Sequence, residues 1–148
     1  MEKETKFFVV KYTCDGLTPE GENKKCKAQY LVKASTFTEA ETIMNNVLSD
    51  ETNFDITAIT ISKAEEIVRR KDRSLKDDDH YFLLTSSFIT LDETSGKEKK
   101  MSMQYYVVGN TISEAQDIFS DYMKDAIFDW KIDKVEITPI FYDSENDQ

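Results

Sequence analysis

The sequence predicts an α+β fold made by internal duplication of a β-β-α-β unit. A run of identities recurs at an offset of 75 residues, and the same order of strands and helix cap recurs with it. We expect an antiparallel sheet with two amphipathic helices packed on it, in a pseudo-twofold arrangement. One copy alone would have a thin core, so we expect the 148 residues to form a single compact domain.

The identities are densest around the second strand and the helix of each copy. Residues 27–50 match residues 102–125 at eight of 24 positions, whereas ordinary residue usage would give about one or two. The identical residues in the first copy are Gln29, Tyr30, Val32, Thr36, Glu39, Ala40, Ile43 and Asp50. Pattern and caps recur in one order, which favours duplication over coincidence.

The offset changes outside this window. After the helix it becomes 76, so that Ile61 aligns with Ile137. The first strand aligns less securely, because Tyr12 matches either Ser87 or, after a one-residue slip, Phe88. These alignments place the repeats at about residues 6–64 and 81–141 of domain 1–148, joined by a charged linker over 65–80.

Strands are predicted where β-branched and aromatic residues concentrate. In chain order they are Phe7–Cys14, Cys26–Ala34, Ile56–Ser62, Tyr81–Leu91, Met101–Gly109 and Ile132–Thr138. Short polar segments join the first two strands of each copy, which predicts antiparallel hairpins. The linker has the composition of a solvated connection, with a helical turn expected from Ala64 to Arg70.

Each helix is marked by a capping box. In Thr36-x-x-Glu39 and Thr111-x-x-Glu114 the threonine oxygen can accept the third backbone N–H, while the glutamate reaches back. Apolar residues follow at helical spacing. They are Phe37, Ala40, Ile43, Met44, Val47 and Leu48 in one copy, and Ile112, Ala115, Ile118, Phe119, Tyr122, Met123 and Ala126 in the other.

The net charge of −10 is uneven along the chain. Residues 1–75 carry 12 Lys and Arg against 13 Asp and Glu, whereas residues 76–148 carry 7 against 16. Such an excess serves solubility and repels nucleic acid, or it presents a surface to a basic partner. Three acids, Asp117, Asp121 and Asp125, recur every four residues and so share one helix face, which makes them a candidate partner surface.

Basic residues cluster beside aromatics in both hairpins. The candidate nucleic-acid contacts are Lys24, Lys25, Lys27 and Tyr30, with Lys97, Lys99, Lys100 and Tyr105 in the second copy. Lysines could follow a phosphate backbone while exposed tyrosines stack on single-stranded bases. The alternative interpretation is that the lysines protect solvated hairpin ends and the tyrosines lie in the core.

No motif points to catalysis, a metal ion or a cofactor. The chain has no Gly-rich phosphate loop, no nucleophile elbow and no zinc-protease motif. Cys14 and Cys26 flank the first turn and could face each other across the hairpin, while His80 lies in the charged linker. The acids of residues 77–79 are expected to be a solvated run rather than a cation site. No membrane-length apolar run or signal segment is present, so we expect a cytoplasmic protein.

Two runs of sequence resemble a small family of unknown function found in Bacteroidota and their phages. They are residues 35–41, preceded by Tyr30-Leu31-Val32, and residues 88–100. The resemblance spans about Lys6 to Phe141 and implies a cytoplasmic bacterial or phage protein, with no known activity or site residues.

These observations predict a non-enzymatic binding or adaptor protein, phage-related, that acts through a protein-protein surface. Two alternatives stay open. One is a single-stranded nucleic-acid-binding protein that uses the basic hairpins. The other is an acidic nucleic-acid mimic that inhibits a host protein. Unpaired sheet edges in the repeats could also join copies into a homo-oligomer.

Overall fold

The computed structural model describes residues 4–17, 23–51 and 53–147. The strands are β1 (Lys6–Leu17), β2 (Asn23–Ala34), β3 (Asp55–Ser62), β4 (Ala64–Val68), β5 (His80–Leu91), β6 (Glu98–Gly109), β7 (Trp130–Ile137) and β8 (Ile140–Asp143). The helices are α1 (Phe37–Val47), α2 (Ile112–Tyr122) and a 3₁₀ helix over Ser144–Asp147. The α+β prediction is therefore confirmed, and both predicted helices are present. Neither α-helix in the described residues is long and apolar enough to cross a membrane.

The chain divides into two compact units. Unit 1 consists of Met1–Ser62 and Pro139–Gln148, and unit 2 consists of Lys63–Thr138. In unit 1 the strand order is β3-β1-β2-β8, and in unit 2 it is β4-β6-β5-β7. The prediction that the two repeats form one domain concerns the relation between the units, and it stays a prediction.

Unit 1 is a mixed four-stranded sheet with α1 on one face. A long antiparallel hairpin pairs β1 with β2, β3 pairs antiparallel with β1, and β8 pairs parallel with β2. Alternate residues of the strands point toward the helix, as the period of two requires. The buried core on that side is Phe8, Val10, Tyr12, Tyr30, Val32, Ala34, Ala40, Met44 and Leu48.

Unit 2 has the same kind of sheet. Strands β5 and β6 form the hairpin, β7 pairs antiparallel with β5, and β4 pairs parallel with β6. Helix α2 covers one face, on which the buried core is Val68, Phe82, Leu84, Tyr105, Val107, Ala115, Phe119 and Met123. Each unit thus buries its helix stripe on its own sheet.

Two features of the sheets differ from the prediction. The structure has two sheets rather than one, and each is mixed because a parallel strand forms one edge. These edge strands, β4 and β8, have only five and four residues, and β4 replaces the helical turn expected within the linker. Parallel strands that pair with each other are joined by long connections, so no local turn in the sequence predicts their pairing.

The helix caps match the prediction. The Oγ1 of Thr36 accepts a hydrogen bond from the N–H of Glu39 at 3.1 Å. The Glu39 carboxylate accepts from the N–H of Ser35 at 3.3 Å. Helix α2 has the equivalent two bonds, at 3.0 and 3.1 Å. Each cap satisfies N–H groups that the first turn leaves without an intrahelical partner.

Candidate interaction surfaces

The two tyrosines proposed to stack on bases are buried. Tyr30 is 2% exposed and Tyr105 is 9% exposed. The ring of Tyr30 packs 5.8 Å from that of Tyr142, and the ring of Tyr105 packs 5.1 Å from that of Phe119. Burial also raises the pKa of the Tyr105 phenol. Neither ring offers a face to a nucleic-acid base, so the alternative interpretation of core tyrosines describes this structure.

The hairpin lysines whose side chains are described are exposed, but those of unit 2 point to both faces of the sheet. Lys25 and Lys27 share one face of β2, because they are two residues apart in a strand. In unit 2 Lys97, Lys99 and Lys100 are exposed, and adjacent residues 99 and 100 point to opposite faces of β6. The side chain of Lys24 lies outside the described residues.

Unit 1 contains a shallow groove on the sheet face opposite α1. It has a volume of about 470 Å³. Its lining includes Lys11, Lys27, Thr13, Gln29 and Thr57 and no carboxylate. Cross-strand pairing sets this arrangement, because Thr13 lies opposite Lys27 and Lys11 lies opposite Gln29. The groove therefore brings one predicted contact, Lys27, beside a second cation that the sequence interpretation did not consider.

A second groove, of about 370 Å³, lies in unit 2. Lys100 and Lys131 line it together with the carboxylates of Glu98 and Asp129 and the side chain of Ile89. Cations and anions are equal in number there, so the groove has no net charge to attract a phosphate. The two hairpins thus differ as anion-binding surfaces.

The predicted acidic stripe is shorter than expected and partly neutralised within unit 2, because α2 ends at Tyr122 and Asp125 lies in the turn beyond it. The Asp121 carboxylate lies 3.3 Å from the Nζ of Lys71 and 3.7 Å from the Nζ of Lys124. Asp117 lines a cleft with Arg69, Lys71 and Asp121. These contacts give the stripe a mixed charge instead of the row of carboxylates that the helical spacing predicts.

Counting charge by unit removes the asymmetry seen along the sequence. Unit 1 carries 7 Lys and Arg against 13 Asp and Glu, a net of −6, and unit 2 carries 12 against 16, a net of −4. The basic residues of 63–75 belong to unit 2, whereas the acidic segment 139–148 belongs to unit 1. The difference of −1 against −9 is thus a difference between halves of the sequence and not between structural units.

The strongest polar contacts surround Arg70. Its guanidinium donates to both carboxylate oxygens of Asp79, at 2.7 and 2.8 Å, to the carbonyl of Ser74 at 3.1 Å, and to Glu114. Asp79 also accepts the N–H of Lys76 at 2.8 Å. The side chains of Arg70 and Asp79 are only 13% and 4% exposed. We call these five residues the Arg70 cluster.

The contacts of the Arg70 cluster stabilise the charged forms of its side chains, as the directions of their pKa shifts indicate. Hydrogen bonding to Arg70 is the main cause that lowers the pKa of Asp79 and of Glu114. The same bonds raise the pKa of Arg70 above its usual range. Because Glu114 also accepts the N–H of Asn110, the cluster ties segment 70–79 to the first turn of α2. The arrangement is a structural clamp, because the guanidinium of Arg70 donates to Asp79, Ser74 and Glu114 within the fold.

The structure also places the two cysteines and the histidine of the chain. Cys14 lies directly opposite Cys26 in the hairpin, as predicted. Burial is the main cause that raises the pKa of the Cys14 thiol, which leaves it less reactive than an exposed cysteine. His80 is the exposed first residue of β5, with its ring 6.0 Å from that of Phe82.

The outer strands of the two sheets differ sharply in chemistry. The outer edges are β3 and β8 in unit 1 and β4 and β7 in unit 2. Strand β7 carries four charged residues among eight, which are Lys131, Asp133, Lys134 and Glu136. Strand β3 is equally long and has a single charge, Asp55, at its first position, with no Pro or Gly. Charge along an edge discourages pairing with another strand, so β3 is the less protected of the two long edges.

Side chains next to the β3 edge are apolar and partly exposed. Ile61 is 49% exposed and lies opposite Phe8 in the sheet. Phe37, at the start of α1, is 51% exposed and packs its ring 4.9 Å from that of Phe8. An added strand would therefore meet the half-exposed side chain of Ile61, on the sheet face where Phe37 packs against Phe8.

Taken together, these features define the chain as an α+β protein with two helix-covered mixed sheets and exposed strand edges. It belongs to a family defined by a domain of unknown function, DUF4494, whose model matches residues 6–142. This match confirms the resemblance to a small family of unknown function. No curated protein and no solved structure matches the chain.

Proposed function

We propose that this protein is a non-enzymatic binding module that holds a protein partner by adding an extended segment to the outer edge of β3. The observation that carries the proposal is the absence of charge along β3 from Ile56 to Ser62, beside the four charges of β7. An uncharged edge with a full row of main-chain donors and acceptors is a template for strand addition. The bacterial or phage setting implied by the family resemblance, and a cytoplasmic location, belong to the same proposal.

In strand addition the main chain provides affinity and the side chains provide specificity. Hydrogen bonds to the main chain of β3 would supply affinity, because they do not depend on the partner's sequence. The exposed side chains of Ile61 and Phe37 would select apolar residues in the added segment. Thr57 and Thr60 add no charge to the outer part of the strand. Their hydroxyls donate inward to carbonyls of β1 at 3.2 and 3.5 Å.

We also infer that the two units descend from one duplicated repeat. The pairing registers support this: Val10 lies opposite Tyr30 as Leu84 lies opposite Tyr105. A bulge follows at the next position in both units: Thr57 of β3 is the extra residue opposite Lys11 and Tyr12, and Asp133 of β7 is the extra residue opposite Thr85 and Ser86. Equivalent registers align Tyr12 with Ser86, an offset of 74, rather than with Ser87 or Phe88.

The repeat includes a fifth element that the sequence interpretation missed. Strand β4 follows β3 as β8 follows β7, and both pair parallel with a second strand at an equivalent glutamine. Ala64 lies opposite Gln104, and Ile140 lies opposite Gln29. The last strand of each repeat thus completes the sheet of the other unit. A β-β-α-β-β repeat whose last strands are exchanged explains why unit 1 contains both ends of the chain.

Single-stranded nucleic acid is the second candidate partner. One observation favours it: the groove of unit 1 presents Lys11 and Lys27 on one face without a lining carboxylate. The buried tyrosines count against it, because they leave the cations without a stacking platform. The acidic-mimic alternative has less support, because Asp121 already contacts two lysines and both units carry similar net charge.

A capture experiment with matched edge variants tests the proposal. Immobilised wild type, Thr60→Lys and Glu136→Lys would be incubated with lysate from a bacterial host. Thr60 and Glu136 are equivalent edge positions at the offset of 76, on β3 and β7. We expect a protein retained by wild type and by Glu136→Lys but lost from Thr60→Lys. Equal retention by all three proteins would contradict strand addition at β3.

A further inference from the structure

Strand β3 is suited to pair with itself. Its segment from Ala58 to Ser62 is regular, because the register shift with β1 comes before it, at Thr57, which lies between Ile56 opposite Tyr12 and Ala58 opposite Lys11. Five of the eight residues of β3 are isoleucine or threonine, the residue types that pack best in cross-strand pairs. We propose that β3 pairs antiparallel with β3 of a second copy of this chain, about a twofold axis through Thr60; this inference rests on the proposed function of β3 as a binding edge.

The faces of the strand fix this register. Ile59 and Ile61 lie opposite Val10 and Phe8 of β1, so both point to the face that α1 covers, whereas Thr60 points to the other face. A twofold axis through Thr60 places each Ile59 opposite the partner's Ile61 on one face. It places Thr60 opposite itself on the other. Directly opposed residues of an antiparallel pair must share a face, and this register satisfies that condition without using the bulge.

Energetic considerations favour a second copy at this edge. Isoleucine faces isoleucine and threonine faces threonine, pairs that are favourable in sheets. The half-exposed side chain of Ile61 would be covered in both copies. The net charge of −10 opposes association, but the seam centred on Thr60 contains no charged residue from Ala58 to Ser62. Repulsion between distant surface charges is screened over about 8 Å at physiological salt.

Strand β7 provides an internal control. Its register with β5 parallels that of β3 with β1, but Glu136 occupies the position of Thr60. The same twofold pairing of β7 would set Glu136 against its copy, and like charges directly opposed destabilise a sheet. The chain should therefore form a closed dimer through β3 and not an open chain of sheets through both edges.

Sedimentation velocity over a range of protein concentrations is the first test. We expect wild type and Glu136→Lys to approach twice the mass of one chain as concentration rises. Thr60→Lys should dissociate at least about tenfold more readily, because two lysines would meet on the axis. Circular dichroism checks that Thr60→Lys keeps its fold; since residue 60 is exposed at an edge, we expect the fold to be retained.

A cysteine at the axis tests the register directly. In a background of Cys14→Ser and Cys26→Ser, Thr60→Cys should form an intermolecular disulfide on mild oxidation. Opposed residues of an antiparallel pair have Cα atoms about 4.5 to 5.5 Å apart, within the range that a disulfide spans. Glu136→Cys in the same background is the matched control, and we expect it to form no intermolecular disulfide, because β7 does not pair with its copy.

The outcomes separate this inference from the proposed function. A wild-type monomer at all concentrations, or equal crosslinking of the two cysteine variants, overturns the pairing of β3 with its copy. If that monomer still captures a host protein through Thr60, strand addition at β3 stands and only the identity of the partner is wrong. If capture is also insensitive to Thr60→Lys, both proposals fail.

Discussion

Replacing Arg70 with methionine should destabilise the protein far more than replacing its neighbour Lys71. Arg70→Met keeps the apolar stem but removes two hydrogen bonds to Asp79 and one each to Ser74 and Glu114. Asp79 is 4% exposed and would keep only the N–H of Lys76 as a partner. Breaking a buried ion pair typically costs about 3–5 kcal/mol. We expect about 3 kcal/mol, the lower end, because Glu114 is 33% exposed and can rehydrate.

Lys71→Met is the matched control. Its Nζ lies 3.3 Å from Asp121, but the two side chains are 72% and 42% exposed. Exposed ion pairs contribute little to stability, because water screens the charges and both side chains lose entropy. The adjacent position and the same final residue make Lys71→Met a control for the loss of one positive charge at the surface.

Urea unfolding followed by far-ultraviolet circular dichroism measures both variants. A double-mutant cycle with Asp79→Leu isolates the pair, and we expect a coupling of about 2 kcal/mol for residues in one network. Segment 70–79 should also become sensitive to trypsin in Arg70→Met, because the clamp that ties it to α2 is lost. If Arg70→Met costs no more than Lys71→Met, the Arg70 cluster does not stabilise the fold.

Two other measurements follow from the charges. The pKa values of Asp79 and Glu114 are lowered in the folded state, so their contribution is complete above the unfolded values of about 4 and is lost as pH falls through the folded ones. Wild type should therefore lose stability below about pH 4 more steeply than Arg70→Met, and parallel pH profiles would contradict this. In gel-shift assays with short single-stranded DNA at low salt, any binding should weaken in Lys11→Glu with Lys27→Glu, the two cations of the unit 1 groove, and its salt slope should flatten. No shift at low salt would remove the nucleic-acid candidate.

Local signals were enough to predict the helices and the six long strands. The capping threonines and glutamates act within four residues of chain, and the β-branched runs need no distant partner to be recognised. The edge strands β4 and β8 were not predicted, because the strands they pair with lie far along the chain. Arg70 pairs with residues nine and 44 positions away, and no periodicity reports such a contact.

The burial of Tyr30, in contrast, could have been predicted. In β2 the polar residues Lys25, Lys27 and Gln29 alternate with Ala28 and Tyr30. A period of two places Tyr30 on the face opposite Lys25 and Lys27, and therefore toward the helix. In β6 only Lys100 is separated from Tyr105 in this way, because Lys99 lies six positions before Tyr105 and shares its face by the same period. Basic residues that precede an aromatic by an odd number of positions in a strand do not share its surface.

The two units differ at their edges rather than in their net charge. Both units keep the bulge, the capped helix and the tyrosine-centred core, so these features are what a shared scaffold requires. Strand β7 has charged side chains at positions where β3 has alanine and threonine: Lys134 for Ala58 and Glu136 for Thr60. Because a charged edge resists pairing while an uncharged one invites it, one scaffold presents both a protected and an available edge. An uncharged edge strand such as β3 favours aggregation. Its presence in a chain whose other long edge, β7, is protected by charge is best explained if a specific strand normally covers β3.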